Sequence, residues 1–206
     1  MPLASEDLAY WYLRLNGFLT IPNFIVHPDT GAQQRTDVDV LGVRFPYRAE
    51  LLLRPMVDDK PFVDVRDRAY LVFAEVKRGQ CCLNGPWTDS DSENMQRVLR
   101  AIGALRDVEI GAAAASLYNT GTFSNEVYHV SLFCFGERAS LEVRQHYPAV
   151  PQKLWPEVLG FIFQRFTGYR DQKASHPQWD QTGTRLFELA VEARTVDQFV
   201  RSVAVQ

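Results

Sequence analysis

Absences narrow this chain before anything present does. Cysteine is scarce: Cys81, Cys82 and Cys134 are the only three, with no Cys-x-x-Cys spacing. That argues against a disulfide framework and against structural zinc. The adjacent Cys81 and Cys82 read as buried or strand-end thiols rather than ligands. No run approaches the roughly 20 apolar residues that span a bilayer. Residues Met1 to Asp7 carry neither the basic nor the apolar stretch of a secretory leader. The expectation is a cytoplasmic protein with no membrane partner. Positive charge is not in excess either: 22 Lys and Arg stand against 25 Asp and Glu, a net charge of −3. That is not the footprint of a strongly basic nucleic-acid binder. Any polyanion must be met by a local patch, a bound metal or a partner. The four histidines have no metal spacing. There is no P-loop, no Gly-x-Gly-x-x-Gly and no Gly-x-Ser-x-Gly.

What is present suits one globular domain of 206 residues, 46% hydrophobic and 23% charged. Residues 5 to 16 read as a helix capped by Ser5, with Glu6 and Asp7 in its first turn and Leu8, Trp11, Tyr12 and Leu15 on one face. Gly17 is a natural stop. Two strands follow, Leu19 to His27 and Arg35 to Phe45, joined through Pro28, Asp29 and Gly31 as an antiparallel hairpin. Residues 46 to 68 read as an insertion that loops out of the core, with Glu50 to Leu53 open between helix and strand. Ala69 to Lys77 is so uniformly apolar that a central strand, covered on both faces, is expected. Asp89 to Ser92 offer N-caps for a helix running to Ile102, with Gly103 at its end. Ala112 to Ala115 stay open between helix and strand, Asn119 to Thr122 read as a loop, and Val127 to Phe135 as a strand. From about residue 150 the pattern turns helical, with segments around Trp155 to Phe166, Thr184 to Ala193 and Val196 to Val203. The order implies an α/β core, about 5 to 135, with a helical C-terminal extension, about 150 to 206.

The chemistry gathers on two strands. Glu75-Val76-Lys77 closes the third strand, and side chains two apart on a strand share a face, so Glu75 and Lys77 project together. Thr36-Asp37-Val38-Asp39-Val40 places an acid on the second arm of the hairpin. A Glu-x-Lys tripeptide alone carries no information; its context does. Acids on otherwise apolar strands are costly to bury without a purpose. Asp39, Glu75 and Lys77 converging on one point can hold a hard cation and position a water for phosphodiester hydrolysis.

This ensemble resembles the PD-(D/E)XK superfamily, the restriction-endonuclease-like nucleases, and is most similar to its Holliday-resolvase-like and Mrr-like branches. The resemblance covers about residues 5 to 135. It rests on Asp37-Val38-Asp39-Val40, on Glu75-Val76-Lys77, and on Glu6 at the position where some members carry a first-helix Glu. The literal Pro-Asp is replaced by Thr36-Asp37, and the resemblance does not extend to residues 150 to 206. The resemblance implies a mixed central sheet flanked by helices. It implies Mg²⁺, with Mn²⁺ as its substitute, held by Asp39, Glu75 and the Val76 carbonyl. It makes Asp39, Glu75, Lys77 and Glu6 the catalytic set. Mg²⁺ is commonly held by only one or two carboxylates. A lysine beside it has reason to carry a lowered pKa. Asp37 reads as an exposed neighbour, or as a second metal-facing acid. Glu6 reads equally as a favourable first-turn charge.

Arg44-Phe45-Pro46-Tyr47-Arg48 interleaves bases and aromatics, a pattern suited to phosphate contact with stacking, or to a sheet edge with snorkelling arginines. Arg78 and Asn84-Gly85-Pro86-Trp87 lie just past the tripeptide and within reach of a substrate, although tryptophan is usually a packing residue. Arg44, Arg48 and Arg78 are the substrate-binding candidates. The expected partner is nucleic acid, DNA ahead of RNA, with room for a homodimer or a protein partner. The competing expectation is a catalytically silent or partner-dependent member of the fold, serving as a binding or assembly module.

Overall fold

The structure, a computed structural model, describes residues 3–27, 35–49, 55–174 and 180–203. The hairpin turn after His27 and the segment Glu50 to Leu53 lie outside the described residues. The elements run α1 (Ser5–Leu15), β1 (Leu19–Val26), β2 (Thr36–Arg44), α2 (Lys60–Val63), β3 (Ala69–Val76), α3 (Gly85–Thr88), α4 (Asn94–Ile102), α5 (Asp107–Thr120), β4 (Thr122–Ser124) and β5 (Tyr128–Gly136). They continue with α6 (Leu141–His146), β6 (Gln152–Leu154), α7 (Trp155–Gly168), α8 (Arg170–Ala174), α9 (Gln181–Glu192) and α10 (Val196–Ser202). Helices flank a mixed, open six-stranded sheet of order β1-β2-β3-β5-β4, with β6 also on β5. β1, β2 and β3 are successively antiparallel, and β3 and β5 are parallel.

Alternation along β3 sorts the two faces. Tyr70, Val72, Ala74 and Val76 pack into one core with α1, α7, α9 and α10; Leu71 and Phe73 pack into the other with α4 and α5. Every residue of β3 is buried, as its apolar run requires. The alanine run resolves as helix within α5, because Ile110, Ala113, Ala114 and Leu117 repeat at helical spacing beneath the sheet. Gly103 ends α4 at φ 70°, the left-handed conformation that glycine adopts without strain. Ser5 is not the cap expected of it. Ala4 takes that position, and the Ser5 hydroxyl donates to Glu6 at 3.1 Å.

Two expectations are corrected. Residues 55 to 68 do not loop out of the core: Phe62 is fully buried and stacks on Phe133 at 5.6 Å between ring centres. Nor are the C-terminal helices an appendage. Trp155, Leu159, Ile162, Phe166, Leu186 and Phe199 are buried with the α1 face and close one whole side of the sheet. The two regions hold each other: the Tyr169 hydroxyl accepts from the Met56 amide at 2.6 Å, and Lys153 pairs with Asp59 at 2.7 Å.

Candidate active site

The site forms where β2 leaves β3. Their pairing runs from Arg44↔Tyr70 to Val40↔Ala74 and stops there. The Lys77 amide donates to Phe135, on the β5 side. The Val76 amide therefore points the other way, toward the gap that β2 has vacated, and it donates to Asp39 Oδ2 at 2.7 Å. The carboxylate stands in for the missing ladder carbonyl. The Val76 carbonyl, on the same edge of its residue, faces the same gap. The irregularity extends into β1, where Asn23, between the pairs Pro22↔Val40 and Phe24↔Val38, adopts φ 51°. Asparagine is among the few residues that tolerate that region. Val38 and Leu41 share one core while Val40 lies in the other, so strict alternation breaks around Asp39.

Glu75 is nearly enclosed, 3% exposed. Oε1 accepts from Lys77 Nζ and Asn84 Nδ2, and Oε2 accepts from Trp87 Nε1 at 2.7 Å. A carboxylate removed from water needs such donors. The segment that brings two of them is short and built for the purpose. Asn84 precedes α3, Pro86 sits in the first turn, where its missing amide costs nothing, and one turn carries Trp87 back beneath Phe73. Gly136 makes that path possible. A Cβ there would stand 2.8 Å from the Gly79 carbonyl and 2.9 Å from the Cys81 amide, where residues 79 to 81 cross the end of β5. Cys81 and Cys134 are buried and Cys82 is half-buried, all three as free thiols.

The electrostatics follow from burial. Desolvation pushes Asp39 up to about 6, with repulsion from Glu75 and Asp37 added; the Val76 amide and Lys77 pull the other way and do not compensate. For Lys77, burial works against the ammonium. The hydrogen bond and charge of Glu75, with the charge of Asp39, outweigh it, and its pKa lies above the ordinary value. Without a metal, Lys77 is therefore a charged donor rather than a base.

A stability consequence follows for the metal-free protein. Between about pH 4 and pH 6 the folded state binds the Asp39 proton more tightly than the unfolded state does. This group's contribution to stability thus falls as pH rises through that window, and the full cost is carried above it. Asp39→Asn removes the cost and can still accept from Val76. We expect it to stabilise the metal-free chain by about 1 kcal/mol at pH 8, after discounting for solvent screening, and by nothing at pH 4. Urea melts at the two pH values check this; equal effects at both would refute it. Trp87→Phe keeps the ring but strips Glu75 Oε2 of its donor, and is expected to cost about 1–3 kcal/mol in the same melts.

The other site candidates separate. Arg78 is exposed at the end of β3 and free to meet a ligand, its carbonyl accepting from Trp155 Nε1 at 3.4 Å. Glu6 belongs to α1, in the layer opposite Glu75, and its bond is to Ser5. Arg44 is corrected: it is buried near the far end of β2, donating to the Asn16 and Phe62 carbonyls and pairing with Asp58 at 2.6 Å. Arg48 lies on the same Asp58, at 2.9 Å. These two hold the fold rather than a phosphate beside Asp39. Asn84 and Trp87 are the residues whose role the sequence reading missed. Their proximity to the tripeptide was visible; that they clamp Glu75 was not.

Among the described residues no group of three or more His, Cys, Asp or Glu side chains is gathered as a metal cluster. What this site can offer a cation is oxygen alone. Asp39 has one donor on it, the Val76 carbonyl faces the gap, and Glu75, with three donors, keeps about one of its four lone-pair positions. Such a set suits a hard cation that keeps most of its waters. Among the described residues no helix is long and apolar enough to cross a membrane. No protein-family model, no curated protein and no solved structure matches this chain.

Proposed function

We propose that this chain is a metal-dependent nuclease with a restriction-endonuclease-like core, acting on phosphodiester bonds of nucleic acid, DNA ahead of RNA. The observation that carries the reading is the Asp39 carboxylate seated on the Val76 amide, at the point where β2 leaves β3, beside the Glu75–Lys77 pair. Asp39, Glu75 and the Val76 carbonyl are the groups that would hold Mg²⁺ or Mn²⁺. When bound, such an ion supplies a water of lowered pKa and neutralises charge on the phosphoryl oxygens. The chain's own residues do the rest. Trp87 and Asn84 hold Glu75 in one rotamer, the β3 backbone fixes Asp39, and Lys77 keeps its proton to orient the attacking water or meet developing negative charge.

A second reading has its own observation. Three donors on a buried Glu75 are also what a purely structural ion pair looks like, and that suits a silent member of the fold acting as a binding module. Incubation with single-stranded, double-stranded and branched DNA and with RNA, in Mg²⁺, Mn²⁺ or EDTA, separates the two. Metal-dependent cutting that Asp39→Ala removes supports the nuclease. No cutting of any substrate, with no Mg²⁺ binding by calorimetry, gives the silent reading.

A further inference from the structure

The β1 side of the sheet carries an open apolar face. β1 is an edge strand, and its pairs Leu19↔Val43 and Ile21↔Leu41 put Leu19 and Ile21 on the side that α4 and α5 cover. That cover stops short. α4 ends at Ile102, and between its last turn and the two strands lies a groove of about 380 Å³ with no charged residue in its lining. Three of the lining side chains stand out of it: Leu19 is 65% exposed, Ile21 53% and Phe45 59%. Among the described residues nine large apolar side chains are exposed; these are three of them, and Tyr47 and Val127 lie within two residues of the lining. Exposed apolar residues scattered singly need no explanation, but a gathering of them on one face marks a contact.

Four observations say what covers it. The strand edge is closed to an added strand, because Pro22 has no amide and Asn23, at φ 51°, breaks the run of β1. The cover therefore comes onto the face. The missing charge lets the patch meet its own image: two identical copies bring identical charges, and a patch of one sign would repel itself. Arg100, beside the groove in α4, is already paired with Asp107 at 3.6 Å. The patch also carries both a knob and a hole, since Phe45 projects beside a hollow roomier than its own ring, and self-complementarity is what a two-fold contact requires. The exposed side chains, on the order of 100 Å² each, with the half-buried lining between them, bring each copy to about 700 Å², near the share of a standard interface. We infer that this face is the contact between two copies of the chain, packed sheet face to sheet face about a two-fold axis, with Phe45 of each copy seated in the groove of the other.

Sedimentation equilibrium of the full chain, from about 1 to 100 μM, tests this. Wild type is expected at twice the chain mass in the upper part of that range, with the mass falling on dilution. Ile21→Glu and Phe45→Glu, both on exposed side chains, should each weaken the dimer by at least about thirtyfold, because a charge is forced into the apolar contact where burial is lost. Phe45→Ser stands in if a glutamate variant does not keep the circular dichroism of wild type. Leu141→Glu, exposed and outside the groove, should dimerise as wild type does. A wild type that stays monomeric at every concentration overturns the proposal and leaves the groove to a different partner. A dimer that the groove variants do not weaken, or that Leu141→Glu weakens as much, overturns it by placing the contact elsewhere.

Discussion

Lys77→Ala is expected to reduce metal-dependent cutting by about 10²–10³-fold, the usual cost of removing one preorganised charged donor from a phosphoryl or acyl transition state. The fold should survive it. Glu75 keeps Asn84 and Trp87 as donors, and the backbone of β3, paired on both sides through Ala74, is untouched. The loss should appear in the rate at saturating substrate rather than in affinity, because a donor beside the reacting phosphate counts for most where negative charge develops. The comparison needs purified wild type and variant from parallel preparations, with far-ultraviolet circular dichroism as the check on folding. A variant that cuts as fast as wild type would remove Lys77, and the tripeptide with it, from the mechanism.

Asp58→Ala is the largest stability effect we expect, about 3–5 kcal/mol. Asp58 accepts from Arg44 at 2.6 Å, from Arg48 at 2.9 Å and from Arg165, whose side chain is 1% exposed. Arg44 reaches it from β2 and Arg165 from α7, so the carboxylate joins the sheet to the C-terminal helices through the 55–68 segment. Removing it strands guanidinium charge where water cannot reach, and a desolvated charge is costlier to leave behind than the pair is to keep. Asp58→Asn retains the acceptor oxygen without the charge and should cost less. Equilibrium denaturation with urea measures both. A change within about 0.5 kcal/mol, the range of ordinary surface substitutions, would mean that the cluster contributes nothing net.

The groups that chemistry needs stood in the open because they obey local rules. Glu75 and Lys77 are two apart on an apolar strand, and period two puts them on one face whatever surrounds them. The strand itself is legible from its uninterrupted apolar run, and the end of α4 from its glycine stop; its start is not, because Ser90 to Ser92 form a separate turn and Glu93, which makes no side-chain cap bond, precedes the helix. Long-range partners are not legible. Nothing near Arg44 in the chain says that its guanidinium will be met by Asp58, Asn16 and Phe62, so Arg44 reads as a substrate-binding candidate although its side chain is interior. Phe62 looked like part of an insertion, because burial depends on what Phe133 and Tyr70 present across the fold.

By itself, the sequence determined the alternation of elements and the shared face of Glu75 and Lys77. The tertiary structure alone decided three things. It parted β2 from β3 so that Asp39 meets the Val76 amide, folded Asn84 and Trp87 onto Glu75, and turned the C-terminal helices into one wall of the core. The division has one physical cause. Side-chain direction follows from the backbone period and is encoded within a few residues, whereas burial and hydrogen-bond partners depend on which segments fill the space opposite, and that is settled only when the whole chain packs.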